Sequence, residues 1–78
     1  MMDAVQTELR QKELMKLLSQ LPQNTNRSTR RQVLWITREL RELGTADWEE
    51  VLLKYGKHIG LPSQVIEEMK IKILDGDI

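Results

Sequence analysis

The chain has 78 residues, no cysteine, and twelve Lys and Arg against twelve Asp and Glu, so its formal net charge is zero. That excludes a disulfide framework and any cysteine-based metal site. It also leaves no overall positive excess of the kind that holds a dedicated nucleic-acid binder on phosphates.

A chain this short buries only about 60% of its unfolded surface, so one small domain over residues 1–78 must rely on good helix packing or self-association. No apolar run approaches the ~18 residues that span a bilayer. Met1-Met2-Asp3 lacks the basic flank and apolar stretch of a signal peptide. Absence of cysteine fits a reducing compartment, and the reading is a soluble cytoplasmic protein with no membrane partner. Leu, Glu, Lys, Arg and Gln dominate, all good helix formers. No segment alternates cleanly at period two. The expected class is all-α, a compact domain of four helices.

The first helix is expected from about Asp3 to Leu21. Asp3 suits an N-cap, and Pro22 forces the preceding residue out of helical geometry. Leu14, Leu17, Leu18 and Leu21 share one face, while Val5 and Leu9 point the other way. Three readings fit that second pair: a further core contact, fraying of residues 1–10, or packing on a second copy of the chain. The last makes the protein a homo-oligomer. Pro22 to Asn26 is a polar connector whose residue types favour turns and caps.

The second helix is the best defined. Asn26 or Ser28 opens it, and Gly44 fits the left-handed position that closes it. On a wheel of about 100° per residue, Val33, Ile36, Leu40 and Leu43 fall within about 80° and form a core stripe. Arg27, Arg30, Arg31, Arg38 and Arg41 occupy about 100° on the opposite side. Leu34 lies among these arginines and Trp35 at their edge.

Thr45 is expected to cap the third helix, with Asp47, Glu49 and Glu50 in its first turn, where the helix dipole favours acids. Trp48, Val51, Leu52, Tyr55 and Ile59 line its inner face, and Gly60 closes it. Pro62 or Ser63 opens the fourth helix. Val65, Ile66, Met69 and Ile73 face inward, with Lys70 and Lys72 near its end and Gly76 beyond. Ile71 and Leu74 point away from that stripe, which predicts cover on two sides.

Catalysis has little to work with. His58 is the only histidine, and it sits near a helix end with no acid pair nearby in sequence. Glu49-Glu50 and Glu67-Glu68 are neighbours on a helix and diverge by about 100°, so neither forms a paired-carboxylate site. Asp75 and Asp77 around Gly76 fall far short of a calcium loop. No phosphate loop or nucleophile motif is present. The expectation is a non-enzyme without metal or cofactor.

Val51 to Lys70 carries the one recognisable pattern. Gly56 and Gly60 are four residues apart, and Tyr55, Ile59, Leu61, Ile66 and Met69 supply the apolar contacts around them. Two steeply crossing helices need a small residue at closest approach, a left-handed turn residue, and apolar side chains on both. This stretch resembles the helix-turn-helix of DNA-binding proteins, with the last two helices forming the corner. The resemblance implies that Ser63 and Gln64 face bases in the major groove. Glu67 and Glu68 share that outward face, and both repel phosphate.

The leading functional expectation is a small regulatory protein that binds and modulates a protein partner. Its contact residues are Arg27, Arg31, Leu34, Trp35, Arg38 and Arg41, because Trp and Arg are enriched at binding hot spots. The alternative is a DNA-binding regulator using Arg30, Arg31, Lys57, Ser63 and Gln64.

Overall fold

The structure is a computed structural model that describes residues 3–77; Met1, Met2 and Ile78 lie outside the described residues. The protein is all-α. Its helices are α1 (Ala4–Ser19), α2 (Arg27–Glu42), α3 (Trp48–Ile59) and α4 (Ser63–Asp75). The radius of gyration is 12.1 Å, close to the about 11.5 Å expected of a compact chain this long. Helix α2 packs on all three of the others, and α3 also packs on α4.

Helix α1 starts as expected: the Asp3 carboxylate accepts the Gln6 backbone N–H at 2.8 Å. Leu14, Leu18 and Leu21 are buried, but Leu17 is exposed. Val5 and Leu9 are 65% and 59% exposed, so they make no second core contact. Their turn is nonetheless regular helix from Ala4 onward. Polar contacts fix the middle of α1 to α2. Arg10 grips Glu39 with two hydrogen bonds, Nε to Oε2 at 2.6 Å and Nη2 to Oε1 at 3.0 Å. Arg10 also pairs with Glu13. The Glu39 hydrogen bond holds the guanidinium above its ordinary pKa, with the charge of Glu39 assisting.

The connector is organised by Asn24 rather than by the cap residue. Asn24 Oδ1 accepts the Asn26 N–H at 3.1 Å and the Thr29 hydroxyl at 2.7 Å. Asn26 occupies the N-cap position without a capping side-chain bond. The buried Thr29 hydroxyl is thereby satisfied, as burial of a polar group requires.

Gly44 has φ +87°, a conformation that costs a residue with Cβ dearly. It lets the Thr45 N–H reach back to the Leu40 carbonyl and the Gly44 N–H to that of Arg41, each at 3.0 Å. The same closure ends α3 at Gly60 and α4 at Gly76. Thr45 does not cap α3. Its hydroxyl accepts from Gln11 Nε2 at 3.0 Å, and the same amide donates to the Leu43 carbonyl at 3.2 Å. The helix therefore begins later, at Trp48, after Asp47.

The core draws on every helix: Leu14 and Leu18, Val33 and Leu40, Trp48, Val51, Leu52 and Ile59, then Ile66, Met69 and Ile73. Ile36 and Tyr55, expected inside, are only partly buried and pack at its edge. On α4, Ile71 and Leu74 are exposed, so that helix is covered on one side only. Lys70 pairs with Glu67 of its own helix at 3.2 Å and ties α4 to α3 through Glu49 at 3.8 Å. Those partners, the Glu67 hydrogen bond first, raise its pKa.

Thr37 is fully buried, and its hydroxyl has no hydrogen-bond partner. Burying an unpaired hydroxyl costs about 1–3 kcal/mol. Thr37→Val keeps the shape and removes that cost. The variant should gain about 1 kcal/mol in urea unfolding. A lower midpoint would show that the hydroxyl stabilises the fold.

Candidate functional site

The arginines of α2 point outward because Val33, Thr37 and Leu40 hold the opposite face in the core. Between α2 and α4 their side chains border an open groove. It is lined by Arg27, Arg30, Arg31, Leu34 and Trp35 from α2, and by Val65, Glu68, Met69 and Lys72 from α4. Leu34 and Val65 are half-buried and pack on the core, while Met69 belongs to it. They form an apolar floor. The groove encloses about 280 Å³, below the roughly 300–1,000 Å³ of small-molecule pockets. That is room for one large side chain.

Trp35 stands at the lip of the groove, 54% exposed. The Arg31 guanidinium lies 5.8 Å from its ring centroid, within reach of a cation–π contact. Each member thus restricts the other. Four cations border the groove against the single carboxylate of Glu68. The compensating acid lies elsewhere. Glu49, Glu50 and Glu67 line another groove between α3 and α4, where Lys70 already pairs with two of them.

The residues singled out in the sequence divide. Arg27, Arg31, Leu34 and Trp35 share the groove, and Arg30, assigned to the DNA surface, joins them. Arg38 is half-buried and its Nε lies 3.7 Å from Glu42 Oε1. Arg41 stacks 5.7 Å over the ring of buried Trp48, so both sit outside the groove lining. Lys57, Ser63 and Gln64 are exposed but do not line it.

Sequence reasoning missed the α4 wall. Val65 and Met69 were placed in the core stripe, and Lys72 was placed only near the end of its helix. A wheel shows which residues share a face of one helix but not which faces of two helices adjoin. Among the described residues, no group of three or more His, Asp or Glu side chains could hold a metal ion. Among them too, no helix is long and apolar enough to cross a membrane. The chain matches no family model, no curated protein and no solved structure.

Proposed function

We propose that this is a small non-enzymatic regulatory protein of the cytoplasm that acts by docking on another protein through the α2–α4 groove. One observation carries the reading: exposed Trp35, stacked with Arg31, overhangs an apolar floor ringed by cations. Aromatic and Arg anchors around a desolvated pocket are the usual composition of an interface hot spot. The fold has no need of these side chains, since the buried face of α2 lies opposite.

The test is capture from nuclease-treated source-cell lysate with wild-type protein and the double variant Arg31→Glu/Trp35→Ala. The variant should keep its helical circular dichroism, because surface changes cost little. It should lose the partner, because reversing a charge at a desolvated contact costs several kcal/mol. A partner retained by the variant would place the interface elsewhere.

A second reading, DNA binding through the α3–α4 corner, draws on the close approach of Gly56 to Ile66 and on exposed Ser63 and Gln64. It forecasts duplex binding that falls steeply with salt and a sequence preference altered by Gln64→Ala. Self-association is a further contact we propose, through Val5 and Leu9, whose exposure otherwise has no account. Sedimentation at high micromolar concentration should then show a dimer that Leu9→Glu disperses. A monomer there removes that proposal.

A further inference from the structure

The groove combines features that restrict what fits it. Its floor of Leu34, Val65 and Met69 takes an apolar side chain, and its volume admits one such anchor. The rim is cationic on both walls, with Arg27 and Arg31 on one and Lys72 on the other. Arg27 and Arg31 are one helical turn apart, about 6 Å along α2. We infer that the occupant is an acidic amphipathic helix of the partner, which inserts one bulky apolar residue and presents carboxylates one turn apart to Arg27 and Arg31.

This rests on the groove being a protein-docking surface and adds the chemistry of what docks. Guanidinium and carboxylate pair through two parallel hydrogen bonds, so carboxylates at i and i+4 match the spacing of the two arginines. Helix-in-groove recognition supplies the anchor from the same face. Glu68 selects against denser anions. A nucleic acid or other polyanion lying along the rim brings phosphate against this carboxylate, whereas a helix with acids on its flanks and an apolar ridge at its centre avoids it.

The probe is a fluorescent synthetic peptide with Phe and Leu along one helical face and Glu at i, i+4 beside them. Anisotropy titration of the 78-residue chain should show saturable binding. Arg27→Glu/Arg31→Glu and, separately, Trp35→Ala should each weaken it at least tenfold, and Lys72→Glu should weaken it from the other wall. Glu68→Gln should tighten it several-fold. Circular dichroism confirms that each variant is folded. Equal affinity for a scrambled peptide of the same composition would overturn the inference, since charge alone would then account for binding. So would displacement of the peptide by duplex DNA at lower concentration, or a dimer abolished by Arg31→Glu, which would make a second copy the occupant. If the peptide fails but the captured partner still requires Arg31 and Trp35, the acidic-helix chemistry falls and the docking surface stands. If the partner is indifferent to those residues as well, both fall.

Discussion

Leu40→Ala should remove about 2–5 kcal/mol of stability, the cost of deleting a fully buried leucine and leaving a cavity. Leu40 is completely inaccessible, and it lies on the helix that packs on every other. A domain of this size commands only about 4–12 kcal/mol in total. The variant should therefore show a urea midpoint displaced by more than 1 M, taking a slope of about 1 kcal/mol per M for a small protein. Ile36→Ala is the matched control. The wheel puts Ile36 in the middle of the apolar stripe, yet it is only partly buried. Its loss should be clearly the smaller. Equal losses would mean that the helix sits rotated from the orientation described.

Gly56→Val should be nearly as damaging, for the opposite reason. A Cβ at Gly56 would lie 2.8 Å from Ile66 Cγ1 and 2.9 Å from Cδ1, where carbon atoms prefer about 3.5–4.0 Å. Ile66 is buried, and its branched side chain has little rotamer freedom. Relief therefore requires α3 and α4 to move apart. Gly56→Ala regains up to about 1 kcal/mol of helix propensity, which offsets part of an overpacking cost of about 1–3 kcal/mol. Valine adds two more carbons and recovers less propensity, so its net loss should exceed about 2 kcal/mol. The double variant Gly56→Val/Ile66→Ala should be more stable than the sum of its parts predicts. Strict additivity would show that the two residues are not in contact.

Much of this fold was legible in the sequence because its signals are local. Asp3 and the glycines at 44, 60 and 76 act through their own backbone geometry, and all four mark helix ends as read. The apolar stripes of α3 and α4 also landed inside, save Tyr55 and Val65, which are only partly buried. The errors share a cause. Thr29 and Thr37 are buried in α2, but a tally of apolar residues passes over a threonine. The buried arc of α2 is therefore turned by about 40° from the apolar stripe, toward the Arg30 side. Thr45 looked like a cap until Gln11, thirty-four residues earlier, claimed its hydroxyl. Leu17 and the outer residues of α4 were given neighbours that the chain does not have.

The groove was half legible. Its α2 wall follows from one helix's periodicity. Its α4 wall depends on which flank of α4 meets α2, and that is settled only by packing.

The order of those packings has a kinetic consequence. Helices α1 and α2, α2 and α3, and α3 and α4 are successive in the chain, and each pair docks directly. Contacts between neighbouring segments close small loops, and bundles built from them fold in microseconds to milliseconds. The docking of α2 on α4 differs, for it skips over α3. The groove is made by that non-successive contact. It is thus absent from a nascent chain until α4 has been synthesised and has docked, and binding at the groove reports that α2 and α4 have met.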